Sequence, residues 1–126
     1  MAQALYKWTG DLTQPQSWDS SFAKPQWYGT DADGNSFAFL DTGFAALCSS
    51  SANDLAVTTA AGDKAWVKAN SRQAIRINKQ CREEIRKNYS VEDELKALRL
   101  DDTTIKTAIA AIVTEYQAQV DALVGD

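Results

Sequence analysis

All four tryptophans and all four phenylalanines of this 126-residue chain lie before residue 67, and the remaining sixty residues are rich in Ala, Ile, Glu and Lys. Large rings suit pleated, half-covered strands. Alanine and straight-chain residues favour helices. Strand-forming material first and helix-forming material second is the order of an α+β chain, not of an alternating parallel fold. The expected division is a β-rich aromatic lobe over residues 1–63 and a helical region over 64–126. A chain of this length supports one compact core, or two small lobes sharing an interface.

Within the front portion, Ala4 to Thr9 alternates in the manner of a strand that ends at Gly10-Asp11, with Tyr6 and Trp8 on one face. The stretch from Leu12 to Pro25 contains both prolines. It reads as a loop without regular structure, anchored by Trp18 and Phe22. The strongest local signal runs from Gln26 to Leu40 around Asp33-Gly34. That dipeptide suits the two central positions of a tight hairpin turn, where both residues need positive φ. Such a turn sets Tyr28 opposite Phe39 and Thr30 opposite Phe37. Tyr28, Phe37 and Phe39 then share one face, with Trp27, Ala38 and Leu40 on the other. A hairpin that is apolar on both sides needs cover on both, either from its own helices or from another polypeptide. Further on, Phe44 to Cys48 suits a helical turn or a strand, Ser49 to Ser51 a loop, and Leu55 to Thr59 one more strand.

From Asp63 the spacing becomes helical. Trp66, Asn70, Ala74, Ile77, Cys81 and Ile85 recur at steps of three or four and form a stripe. Lys68, Arg72, Arg76, Lys79 and Arg86 make the opposite flank basic. The pattern breaks at Asn88-Tyr89-Ser90, where Ser90 and Asp93 have the spacing of a capping box for a segment from Val91 to Leu100. Asp101-Asp102 puts negative charge at the start of a last helix. Its apolar face holds Ile105, Ala108, Ile109, Ile112, Val113, Tyr116, Val120 and Leu123, and Gly125 suits the position just past its end. The expected architecture is thus a hairpin-containing lobe followed by a helical hairpin of two to three helices. Ile77, Cys81, Ile85, Ile105, Ile109, Ile112, Tyr116 and Val120 are the candidates for helix packing within the chain or self-association with a second copy.

Composition narrows the chemistry. The absence of histidine removes the commonest general base and metal ligand. Cys48 and Cys81 are too few and too widely spaced for a disulfide scaffold or a zinc knuckle, and read as reduced, buried apolar groups. Asp31-Ala32-Asp33-Gly34-Asn35 resembles a calcium loop, but its glycine falls too early and Thr42 stands where a bidentate Glu is required. Glu92, Asp93, Glu94, Asp101 and Asp102 fit helix starts better than a pair of catalytic carboxylates. No phosphate loop or nucleophile elbow is present, so neither an enzyme nor a cofactor is expected. The N-terminus lacks the pattern of a signal peptide or membrane span. Net charge is −5 over residues 1–63, +6 over 64–89 and −5 over 90–126. A basic belt between acidic segments suits charge matching more than a polyanion, and nucleic-acid binding ranks last among the alternatives.

The run from Ile77 to Ser90, Ile-Asn-Lys-Gln-Cys-Arg-Glu-Glu-Ile-Arg-Lys-Asn-Tyr-Ser, together with Glu94 to Arg99 and an Ala/Ile-rich last helix, resembles small bacteriophage tail proteins. The similarity is to tail-fibre-associated and fibre-assembly proteins, and covers residues 70–126. It implies a structural component that binds a larger tail or fibre protein, made in the host cytoplasm and then carried in the virion. The alternatives are an assembly chaperone absent from the mature particle, and a capsid decoration or neck protein. Trp8, Trp18, Trp27, Tyr28, Phe37 and Phe39 are the expected partner-binding residues, because aromatic side chains concentrate binding energy at interfaces. The Trp-rich front and the missing Pro-rich linker depart from the commoner pattern of that group.

Overall fold

The computed structural model describes residues 2–16 and 20–126. It is an α+β chain in which an antiparallel sheet precedes the long helices. Strands β1 (Gln3–Thr9), β3 (Gln26–Thr30), β4 (Asn35–Asp41) and β6 (Ala56–Val57) form a sheet in the order β3-β4-β1-β6, and β2 (Leu12–Thr13) pairs with β5 (Ser49–Ser50) as a separate ribbon. The ribbon corrects the reading of Leu12 to Pro25 as wholly irregular, and that of Ser49 to Ser51 as plain loop. Its pairing is supported from the side by Ser51, whose hydroxyl accepts from the Asp11 amide at 3.0 Å.

The hairpin between β3 and β4 is not the two-residue kind. Asp31 N–H donates to the Asn35 carbonyl at 2.8 Å and Gly34 N–H to the Asp31 carbonyl at 3.2 Å, and of the turn residues only Gly34 has positive φ, at 86°. This is a three-residue connection with a left-handed glycine at its end. The Asp31 carboxylate braces it by accepting from the amides of Asp33 and Asn35, each at 2.9 Å. Pairing is consequently Thr30 with Ser36 and Gly29 with Phe37, then Trp27 with Ala38 and Gln26 with Phe39 across a bulge at Tyr28. The turn shifts the register by one residue, which alone would reverse the faces of β3. The bulge takes up a second residue and restores them. Tyr28 and Phe37 therefore do share a face, and Trp27 and Ala38 the other, by a route different from the one expected.

Both faces are covered from within the chain. On one, Leu5, Tyr28 and Phe37 pack with Val67, Ala74, Leu123 and Val124, so strands and helices contribute to a common core. On the other, Trp8, Ala38 and Leu40 pack with Phe44 and Ala45 of a one-turn helix, α1 (Thr42–Ala45), and with Phe22, Cys48 and Leu55. Asp41 is fully buried between these layers, and its carboxylate caps α1 by accepting from Gly43 N–H at 2.8 Å while also holding Ala23 N–H at 3.1 Å.

The helical region comprises α2 (Ala61–Asn70), α3 (Arg72–Asn88), α4 (Val91–Leu100) and α5 (Thr103–Ala122). The expected first helix is split in two at Ser71, which adopts extended backbone and caps α3 by accepting from Ala74 N–H at 3.1 Å. Serine competes for backbone amides in this way and so favours a helix start over a helix interior. The capping box of Ser90 and Asp93 and the Asp102 cap of α5 are present where the sequence places them. Gly125 has φ of 81° and lies two residues beyond the Leu123 cap, one position later than expected.

Candidate functional site

Three of the six expected partner-binding aromatics are interior residues. Trp8, Tyr28 and Phe37 have between 1% and 6% of their surface exposed. They cannot contact a second polypeptide without unfolding their own, because the sheet is a middle layer. Phe39 is half-buried against the same core as Phe37. Tyr28 is fixed further by donating its hydroxyl to the Leu123 carbonyl, and burial pushes its phenol above the ordinary range. Trp18 lies outside the described residues. Of the five that are described, Trp27 alone keeps a broad exposed surface, 41%.

Trp27 sits on β3, an edge strand of the sheet. Its indole meets Trp8 edge-on at 6.3 Å and Phe44 at 6.5 Å, which holds one side of the ring and leaves the other outward. Beside it opens a cleft of about 550 Å³ lined by Trp27, Thr30, Trp66, Asn70, Arg72 and Ile75. Trp66 is steadied by stacking on Phe37 at 5.1 Å. Gln73 ties α3 to β3 by donating to the Trp27 carbonyl at 3.0 Å, and its own amide oxygen is enclosed without a hydrogen-bond partner. The cleft thus joins the Trp66 indole and an exposed isoleucine to a guanidinium and an amide at the edge of the sheet, whose other face carries the Trp27 indole. In the sequence, Trp66 and Arg72 belong to separate patterns, one in a core stripe and one in a basic flank. The break at Ser71 brings them to one site.

A second hollow of about 350 Å³ lies among Tyr6, Thr42, Cys48, Ser50, Asn53 and Leu55. The Cys48 thiol donates to the Phe44 carbonyl at 3.3 Å, and burial pushes it up, away from the thiolate a nucleophile requires. Cys48 and Cys81 are both free and half-buried, where full burial was expected.

Asp41, Asp54, Asp63 and Asp93 are engaged in structural hydrogen bonds. Hydrogen bonds from the Thr9 hydroxyl and amide, and from the Ser50 hydroxyl, hold Asp54 below the usual carboxylate range. The Ala23 and Gly43 amides do the same for Asp41, and the Ser90 amide for Asp93. Asp63 receives both the Thr58 hydroxyl and Lys7, tying α2 to the sheet.

The helix-packing candidates lie on α3 and α5, which pack against each other within a single chain, and Ile105 and Ile109 also line a groove between α5 and α4. Val120 is buried, while Ile77, Cys81, Ile85, Ile105, Ile109, Ile112 and Tyr116 are half-buried. The basic flank is partly consumed by ion pairs: Lys68 bridges Asp121 at 3.2 Å and Asp126 at 3.3 Å, and Arg86 pairs with Glu94. The hydrogen bonds that Lys68 donates to Asp121 and Asp126 raise its pKa. The largest exposed apolar side chains of the helical region lie at its far end, with Leu95, Leu98 and Leu100 between 57% and 68% exposed. Among the described residues no helix is long and apolar enough to cross a membrane. No family model matches the chain, and neither a curated protein nor a solved structure matches it.

Proposed function

We propose that this chain is a non-enzymatic structural component of a bacteriophage virion, associated with the tail or tail fibre, that binds a larger tail or fibre protein through the Trp27 cleft. The observation that carries the binding half of this reading is the cleft itself. An exposed indole on an edge strand, with a cleft beside it lined by Trp66, Ile75 and Arg72, has the make-up of an interface anchor: rigid aromatic surface with a charged rim. An edge strand also offers backbone groups to an extended segment of a partner. The tail assignment rests on the similarity of residues 70–126 to small tail and fibre-associated proteins. Membership of the virion is the leading reading within that assignment, and a chaperone confined to the assembly pathway is the alternative.

Quantitative mass spectrometry of purified particles tests it. Stoichiometric recovery with tail or fibre proteins is the expected result. Recovery only from infected cells makes the chain an assembly chaperone, and recovery with capsid or neck components moves it to that part of the particle. In a paired co-expression test, Ile75→Glu places a charge in the cleft at a position already exposed. It is expected to abolish co-purification with the tail or fibre partner while leaving the circular dichroism spectrum unchanged.

A further inference from the structure

The far end of the helical region carries a second surface that the Trp27 cleft does not use. Helix α4 buries Ala97 against α5, yet Val91, Leu95 and Leu98 stand 54%, 57% and 64% exposed. Their spacing of four and then three residues aligns them in one stripe along the helix, the spacing of a coiled-coil seam. Leu98 also forms the lip of an apolar groove of about 220 Å³ between α4 and α5, with Ile105, Ile109 and Ala110 as its floor. A knob and a hole of matching chemistry are therefore adjacent on one surface.

Charges beside the stripe specify what covers it. Glu92 and Arg99 lie on the same flank, seven residues apart, one near each end of α4. Two helical turns, roughly 10 Å of rise, separate them, so they do not pair with each other. Neither makes an ion pair among the described residues. Their midpoint falls at Leu95 and Lys96, the centre of the apolar stripe. A two-fold axis passing there sets Glu92 of one copy against Arg99 of the other, and the reverse, in an antiparallel helix pair. On the opposite flank Glu94 approaches its own counterpart, and Arg86 already neutralises each one within its chain.

We infer that α4 is a self-association surface, on which two copies of this chain pair antiparallel through Val91, Leu95 and Leu98, with reciprocal Glu92 to Arg99 ion pairs. Because a closed two-fold contact uses the same patch on both copies, a stripe flanked by acid at one end and base at the other is self-complementary. A parallel two-fold pair would instead turn this flank toward the partner's Glu94 flank, so that Glu92 and Arg99 would not meet. The contact is three turns long, well short of a standard interface, so association is weak, with a dissociation constant on the order of 10 µM. Pairing of this kind is independent of the tail assignment, since the purified chain alone suffices to test it.

Sedimentation velocity of the full chain over about 1 to 200 µM is the experiment, because that range brackets the expected constant. The mass is expected to climb from 13.8 kDa toward twice that value. Glu92→Arg and Arg99→Glu each convert both attractions of the dimer to repulsions, and each is expected to weaken association about tenfold. The double variant restores both pairs with their signs exchanged and is expected to return to within about threefold of the parent. A chain that stays monomeric throughout overturns the proposal. So does a dimer that the single reversals leave unchanged, or one that the double reversal fails to restore.

Discussion

The sheet and the outer end of the helical region treat apolar surface in opposite ways. The sheet carries large side chains on both faces and encloses both, with helices and the C-terminal residues on one side and α1 with its neighbouring loops on the other. Leu40 and Phe37 are at most 1% exposed there. Helix α4 carries leucines of the same size and covers only its Ala97 side, leaving Leu95 at 57%. The contrast separates apolar residues that hold the chain together from those it presents outward. Aromatic content, the obvious marker of a binding surface, points to the first group here more than to the second.

Removing a ring from the enclosed region should have the largest consequence. Phe37 lies in the common core and stacks on Trp66, so Phe37→Ala is expected to cost about 3–5 kcal/mol in chemical denaturation. Because strands and helices share that core, tryptophan fluorescence and helical circular dichroism should shift together. Separate transitions would break the comparison, by showing the helices to be independent of the sheet. A smaller loss is expected from Tyr28→Phe, which deletes the hydrogen bond to the Leu123 carbonyl and leaves that buried group unpaired. About 1–3 kcal/mol is expected. Amide exchange at Val124 and Gly125 should accelerate as the chain end loosens.

Which of these features are legible in the sequence depends on how local their causes are. The faces of β4 follow from strict alternation over Phe37, Ala38, Phe39 and Leu40, and the Ser90–Asp93 capping box from a spacing of three. Both lie within a few residues of sequence. The hairpin register does not, because Asp33-Gly34 supports either a two-residue or a three-residue turn, and the bulge at Tyr28 compensates for the one-residue difference. Ser71 is hidden for a similar reason: it falls between Asn70 and Ala74 in a stripe that continues through the break. The burial of Trp8 is invisible because its cover comes from distant segments, Phe22, Phe44 and Leu55, whose convergence no short pattern encodes. The Trp27 cleft is formed by the same kind of convergence.

Acid should distinguish the regions more gently. Asp41 and Asp54 accept hydrogen bonds from the amides of Ala23, Gly43 and Thr9, and both carboxyls are held below their usual range. A depressed folded-state pKa contributes stability that is complete above the unfolded value of about 4 and is lost as pH falls through the folded value. The thermal midpoint should therefore decline progressively below about pH 4, with no corresponding step near neutrality, where no histidine titrates. In amide spectra Thr9, Ala23 and Gly43 should move over that same acidic interval, ahead of unfolding. If they move only with global unfolding, the carboxylates are not what ties these loops to the sheet.

The smallest expected effect is the most informative about the outer helix. Leu95→Ala removes the same atoms as Leu40→Ala, yet the first side chain faces outward and the second is fully enclosed. At low concentration Leu95→Ala should change stability by no more than about 0.5 kcal/mol, against about 2–5 kcal/mol for Leu40→Ala. Alanine is also the better helix former, which offsets part of any lost contact. The comparison gains a second axis when the protein concentration is raised. A contact made only between copies stabilises by mass action, so the penalty for Leu95→Ala should grow with concentration while that for Leu40→Ala stays fixed. A large, concentration-independent penalty at Leu95 would instead mean that α4 is covered by its own chain, and that the two regions are not opposites.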